Sequence, residues 1–276
     1  MYYVLDKDNI MEEIVPYLSR PGRGPSSRVP VAEIVNAVPY KPKTGVQWRL
    51  LPVGDLFSGE PLHYRTVVGH YRKWCRNGSW KDRWVQFLSG NKAEIDLSSG
   101  DFDGSHTTAI RGGEQVEYQG GKRRRTTNAL YLTDRQGLPL AMSEPIPGNH
   151  NDLYEIEVHA EEVFATLEGA GIATDGLFVN GDAGFDSEGF RSACANRGVI
   201  PNVPYNQRKG DVDRDKPFDE KLYQERYSVE RTFAWTDSFR SVPDRFDTAT
   251  TSWKGFNFLA FIVIAIKKFK KSKNSR

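Results

Sequence analysis

From about residue 94 the chain is written in short apolar runs punctuated by Gly, Pro and Asp, the pattern that encodes strands and their turns. Ala129–Thr133 and Leu138–Met142 flank Asp134-Arg-Gln-Gly137, which predicts a hairpin with glycine at a turn position. Asp152 stands where it caps a helix whose apolar stripe is Leu153, Ile156, Val163, Phe164 and Leu167. Gly176–Asn180 reads as a buried strand, Ser187–Asn196 as a short helix and Val199–Val203 as another strand. After a polar linker, NQRKGDVDRDKP, a long helix is expected from about Phe218 to Phe239. The order strand, hairpin, helix, strand, helix, strand, helix predicts an α/β fold with a mixed sheet and helices packed against it.

The preceding residues have a different texture. Val31–Val38 is an apolar-rich run, and Leu62–Leu88 sets His70, Tyr71, Trp74, Trp80, Trp84 and Phe87 among Arg65, Arg72, Lys73, Arg76, Lys81 and Arg83. Aromatics at three-to-four-residue spacing beside basic residues fit amphipathic helices with an aromatic inner face and a basic outer one. Pro42 and Gly45 are expected to end or bend a helix leaving residues 31–40. Two readings suit this small helical unit: a helix-turn-helix type DNA reader, or a helical cap with a solvated basic face.

The charge is unevenly spread. Residues 1–90 carry 13 Lys and Arg against 8 Asp and Glu, residues 151–200 carry 2 against 10, and residues 251–276 carry 7 with no acid, although the net charge is only +2. Basic flanks around an acidic middle suit a protein that holds a polyanion and keeps carboxylates for a metal or for catalysis. At 276 residues with two cysteines and a mean hydropathy of -0.59, the chain is expected to form one large or two modest soluble domains rather than a disulfide scaffold. The start lacks the features of a signal peptide and Phe256–Ile266 is too short to span a bilayer, so no membrane partner and a cytoplasmic location are expected. Cys75 and Cys194 read as core thiols, and His106 and His150 as polar groups at a site rim, since no Cys/His spacing supports a zinc cluster.

Three acids fall where an α/β fold concentrates chemistry. Asp103 follows a first strand, Asp182 lies just past the 176–180 strand, and Glu230 sits inside the last helix. If they converge, their repulsion calls for one or two divalent ions, and all-oxygen ligation favours Mg2+ or Mn2+. Such ions activate a water or a 3′-hydroxyl for in-line attack on a phosphodiester. Asp101 is a rival for the first carboxylate, and an isolated Asp-Gly also reads as a turn. Tyr223, Arg226, Glu230 and Asp237 are spaced to share one helical face, either beside a catalytic cleft or as an exposed stripe with Arg226 paired to Glu230.

Over about residues 30–270 the chain resembles the insertion-sequence transposases of the IS5 group, within the wider IS4-like DDE transposases. Thr44-Gly-Val-Gln-Trp48-Arg49-Leu-Leu-Pro52 matches the family's Thr-Gly-x-x-Trp-Arg-x-Leu-Pro signature. Asp103-Gly-Ser-His and Asp182-Ala-Gly-Phe-Asp186-Ser187 match the contexts of its first two catalytic aspartates, and Tyr223, Arg226 and Glu230 match Tyr-x2-Arg-x3-Glu-x6-Lys. Asp237 stands in place of the closing Lys, and Pro42 and Pro243 fall near helix ends.

The resemblance implies an RNase H-like catalytic domain at 91–250, after a small all-helical DNA-binding domain at 1–90 and before a C-terminal helix and basic tail at 251–276. It implies Mg2+-dependent cutting of the element's terminal inverted repeats and transfer of the 3′ ends into target DNA, with Asp103, Asp182 and Glu230 as catalytic metal ligands. Double-stranded DNA is then the partner, a homodimer or higher synaptic complex the working form, and the nucleoid its place. Lys122, Arg123, Arg124 and Arg125, with Arg111, Arg208 and Lys209, are central candidates for DNA backbone contact, beside Tyr223 and Arg226; a solvated loop is the alternative for the 122–125 cluster. The tail KKFKKSKNSR is a candidate for nonspecific phosphate contacts. A relic that binds DNA without chemistry, and a metal-dependent DNA nuclease that does not join strands, remain the alternatives.

Overall fold

The computed structural model describes residues 3–18, 28–206 and 217–274, with the backbone alone for 271–274; Arg208 and Lys209 lie outside the described residues. Helices α1 (Lys7–Glu13), α2 (Val31–Thr44), α3 (Val53–Leu56), α4 (Tyr64–Arg76) and α5 (Ser79–Gly90) come first. Strands β1 (Gly100–Ala109), β2 (Glu117–Gln119), β3 (Arg124–Asp134), β4 (Pro139–Met142) and β5 (Ile146–Pro147) follow. Then come α6 (Ile156–Gly169), β6 (Phe178–Asn180), α7 (Glu188–Ala195), β7 (Ile200–Asn202), α8 (Glu220–Tyr223), α9 (Ser228–Asp237) and α10 (Thr250–Asn274). The chain divides into two compact units, one of Met1–Phe87 with Trp235–Arg276, the other of Leu88–Ala234.

In the second unit β1 is the central strand. The sheet order is β2-β3-β1-β6-β7, with β4 and β5 also paired to β3. β1 runs antiparallel to β3, from Gly100 opposite Asp134 to Thr108 opposite Thr126, and parallel to β6, which is parallel to β7. The expected hairpin is present: β3 and β4 are antiparallel, and Gly137 takes φ +77°, a conformation open to glycine at little cost. Alternation along β1 sends Phe102 to one side of the sheet and Asp101 and Asp103 to the other. There Phe102 is fully buried against Phe164 of α6, Phe185 and Phe190 of α7, at ring separations of 6.4, 5.2 and 5.1 Å. Ser187 caps α7 by accepting from the Phe190 amide at 3.2 Å, as its place before an apolar run predicts.

Two expectations are corrected in this unit. Asp152 does not cap α6, whose N-cap is Glu155 in a left-handed conformation; its carboxylate accepts instead from Asn128 Nδ2 of β3 at 2.7 Å. The long helix expected over 218–239 is two helices, α8 and α9, separated by a turn at 224–227, so Tyr223 and Arg226 do not continue the helical face of Glu230. Through the break the amides bond three residues back, Arg226 to Tyr223, Ser228 to Glu225 and Val229 to Arg226, and the second helix begins at Ser228, whose Oγ donates to Asp101.

The first unit is built on aromatic packing. Tyr71 stacks on Phe256 of α10 at 4.6 Å, Trp74 meets Trp80 edge-on at 5.7 Å, Trp84 meets Phe261 at 5.6 Å and Phe87 stacks on Phe269 at 5.7 Å. The α4 inner face is Val67, Tyr71 and Trp74, while Arg65, Arg72 and Arg76 are exposed. Trp48 of the Thr-Gly-x-x-Trp-Arg motif lies 5.5 Å from Tyr71 and 6.2 Å from Phe256, so the motif anchors the chain to this core. α2 runs through Pro39 and Pro42 to Thr44, where Gly45 at φ +75° closes it with an amide bond to the Lys41 carbonyl. Three of the described basic residues in this unit, Lys41, Arg83 and Arg245, are internal. Lys41 donates to Ser241 Oγ at 2.9 Å, with its pKa lowered by burial, and the buried Arg83 pairs with Glu13 at 2.8 Å. No helix among the described residues is long and apolar enough to cross a membrane.

Phe102→Ala removes the ring around which three others pack, and is expected to destabilise the fold by about 3–5 kcal/mol in chemical denaturation.

Candidate active site

Asp103 lies on β1, with its side chain 18% exposed. Its Oδ1 accepts from the amide of Gly104 at 2.8 Å, and its Oδ2 stands 3.5 Å from Arg226 Nη1, an ion pair too long to be a hydrogen bond. That Arg226 nitrogen is buried and has no hydrogen-bond partner. Burial pushes the Asp103 carboxyl from its ordinary 3.8 up to about 6; Arg226 and the Gly104 amide oppose the rise, and the charges of Asp182 and Asp152 add to it. Asp103, Asp182 and Asp152 therefore share one field.

Asp182 follows β6 and begins a 3-10 turn, Ala183–Phe185, whose Gly184 amide donates to its Oδ1 at 2.7 Å. The rest of that motif is structural. Phe185 fills the core beside Phe102, the buried Asp186 pairs with Arg191 at 2.9 Å, and Ser187 caps α7. Gly184 has its own reason, since a Cβ there would stand 2.7 Å from Asp182 Oδ1.

Asp101, the rival for the first carboxylate, points inward. It is 1% exposed, and its oxygens accept from Asn180 Nδ2 at 2.8 Å and from Ser228 Oγ. Burial raises its pKa against these hydrogen bonds. Asp103 is thus the aspartate of β1 that reaches the cleft.

Glu230 is exposed, in the first turn of α9. It lies one helical turn before Phe233, whose ring meets Tyr131 edge-on at 5.6 Å, and Tyr131 is the residue of β3 in register with Asp103. Among the described residues no group of three or more Asp, Glu, His or Cys side chains converges on one point, so Glu230 does not close a three-carboxylate cluster with Asp103 and Asp182. The Asp103 and Asp182 pair still suits a hard divalent ion: Mg2+ needs only one or two carboxylates when phosphate oxygens complete its shell.

Asp152, expected from the sequence to cap a helix, belongs instead to the surroundings of Asp103. Its carboxylate occupies the space a side chain at residue 104 would take, since a Cβ on Gly104 would stand 2.1 Å from Asp152 Oδ1. The Asp-Gly pair at 103–104 is therefore a close-approach requirement. His106 holds Thr126 Oγ1 at 3.1 Å, with its pKa lowered by burial, and His150 stacks on Tyr154 at 3.6 Å. Lys122 and Arg123 lie in the exposed turn joining β2 to β3, and Arg124 and Arg125, also exposed, begin β3, with Arg124 Nη1 3.3 Å from Thr108 Oγ1. Tyr223 packs on Phe218 at 5.3 Å and lies 5.8 Å from the Arg226 guanidinium.

A central strand antiparallel to β3 and parallel to β6, with Asp103 within β1 and Asp182 just past the end of β6, defines an RNase H-like fold. A family model described as a transposase DDE domain matches residues 97–260, more than half of the chain, and the chain belongs to that family. It is 27% identical over 143 residues to the putative transposase for insertion sequence element IS6501 of Brucella ovis, covering 51% of this chain and 99% of that relative. The piggyBac transposase, solved as a synaptic complex with hairpin DNA, shares the fold with a TM-score of 0.52 at 10% identity, over 98% of this chain and 74% of that one. The Mos1 transposase paired-end complex matches at a TM-score of 0.30 and 12% identity, over 88% of this chain and 79% of that one.

A raised carboxyl pKa in the folded state makes stability fall as pH rises from about 4 to about 6, with the cost complete above that window. Asp103→Asn is accordingly expected to raise the thermal unfolding midpoint at about pH 8 and to leave it nearly unchanged at about pH 4.5.

Proposed function

We propose that this chain is an insertion-sequence transposase of the IS5 group that cuts the terminal inverted repeats of its element and transfers their 3′ ends into target DNA. The observation that carries this reading is the pair of acids on adjacent chain segments, Asp103 within β1 and Asp182 just past β6, interacting closely enough to shift the Asp103 carboxyl, with Arg226 facing Asp103. Asp103 and Asp182 would hold Mg2+, or Mn2+ in its place, and Glu230, the acid of the Tyr-x2-Arg-x3-Glu signature, would be the third acid, contributed from α9. When bound, the ion supplies Lewis acidity to a water or 3′-hydroxyl and to the leaving oxygen.

The chain's own groups bind and orient the strand. Arg226, whose inner nitrogen lacks a hydrogen bond, offers it to a phosphate oxygen, and Tyr223 flanks it. Lys122, Arg123, Arg124 and Arg125 project from a hairpin as a backbone contact; Arg208 and Lys209 extend the same role. The helical region within residues 1–90, with Arg65, Arg72 and Arg76 exposed along α4, recognises the repeat ends. Handling two ends together calls for a homodimer or larger synaptic assembly, at the nucleoid.

The test is a Mg2+-dependent cleavage and strand-transfer assay on the element's own ends. Asp103→Asn, Asp182→Asn and Glu230→Gln are each expected to lower both steps by at least about a hundredfold, since a ligand matters more than the outer groups that orient it. Full activity in any of the three removes that residue from the triad. Cleavage without joining identifies a nuclease, and binding without cleavage a relic.

Replacing residues 122–125 with alanine is expected to weaken binding to all duplexes alike. The slope of log affinity against log salt should shrink by about 0.9 for each phosphate that the variant no longer neutralises.

A further inference from the structure

We propose that Asp101 is a positioning residue whose buried carboxylate sets the three acid-bearing elements of the active site in mutual register; this rests on Asp103, Asp182 and Glu230 being the catalytic acids. Each acid stands two residues after a member of one hydrogen-bonded group. Asp101 precedes Asp103 on β1, Asn180 precedes Asp182 at the end of β6, and Ser228 precedes Glu230 at the start of α9.

The group is joined through Asp101. Its Oδ1 accepts from Asn180 Nδ2 at 2.8 Å, across the parallel pair in which Asp101 and Asn180 are register partners. Its Oδ2 accepts from Ser228 Oγ, and the amide of Val229 also donates to it. A carboxylate receiving the hydroxyl of the first residue and the amide of the second residue of a ten-residue helix is a charge-assisted cap, and it seats the start of that helix. The network runs on into the sheet: Asn202 of β7 donates to Asn180 Oδ1 at 2.8 Å and accepts from the Asp219 amide at 2.8 Å, just ahead of α8.

The four side chains are buried, with Asp101, Asn180, Asn202 and Ser228 at 1%, 0%, 2% and 1% exposure. No solvent competes for these bonds, so they hold their geometry. On a strand, residues two apart share a face, so the orientation of Asp101 is passed to Asp103. The Asn180 bond sets the height of β6 beside β1, hence the place of Asp182. The Ser228 bond seats the first turn of α9, from which Glu230 projects.

The experiment compares Ser228→Ala, Ser228→Thr and Asp101→Asn with the full-length protein. Cleavage of the element's ends, DNA-end affinity, thermal unfolding and Mn2+ affinity by electron paramagnetic resonance of the protein with the metal alone are measured. Ser228→Ala and Asp101→Asn are expected to lower Mn2+ affinity and cleavage rate by about 10–100-fold, with DNA-end affinity unchanged, because groups that orient ligands act on the metal rather than on the duplex. Ser228→Thr, which keeps the hydroxyl, is expected to restore both. Wild-type cleavage and Mn2+ affinity in Ser228→Ala and Asp101→Asn would overturn the proposal. So would a loss of cleavage with Mn2+ affinity intact, the result of a merely structural defect. Cleavage that survives Asp103→Asn signals the separate failure of the triad itself.

Discussion

Everything in the second unit depends on the two-residue alternation of one strand. β1 is bonded on both edges, so its side chains have only two directions available, and Phe102 takes one while Asp101 and Asp103 take the other. The apolar side buries Phe102 among Phe164, Phe185 and Phe190, which fixes the strand against α6 and α7. The polar side is thereby forced to hold two carboxylates close together. One is satisfied internally by Asn180, Ser228 and the Val229 amide; the other, partly exposed, faces Arg226 and accepts from the Gly104 amide. A core aromatic and a partly exposed carboxylate are adjacent in sequence because the pleat separates them in space.

Much of this was legible in the sequence wherever the determining partner is local. The hairpin of β3 and β4 follows from a turn ending in Gly137, and the start of α7 from Ser187 bonding three residues ahead. The aromatic inner face of α4 follows from spacing alone. Residues whose partner is distant were misread or missed. Asp152 looks like a cap until Asn128, 24 positions earlier, takes its carboxylate. The stretch 218–239 reads as one helix, yet it breaks at 224–227, just ahead of Ser228, whose Oγ meets Asp101 from 127 positions away. Helical periodicity runs across the break undisturbed, so no pattern in the sequence marks it.

The first unit shows the same limit in its charges. Counting Lys and Arg gives a basic flank, but formal charge does not say which cations face water. Lys41 sits among Ser241 and the rings of Phe246 and Phe256, and Arg83 lies over the Tyr17 ring while bonded to Glu13. These two stabilise the helices internally and add little to the field that a polyanion meets. The exposed row on α4 is therefore more informative than the total.

The turn at 224–227 gives the site a mechanical division of labour. Arg226, the cation facing Asp103, hangs on this short segment, whereas Glu230 rides on a helix bolted at its base by Asp101 and along its side by Phe233. A turn yields through a few torsions while a seated helix shifts only as a whole, so the place of Arg226 opposite Asp103 is held by softer means than the place of Glu230.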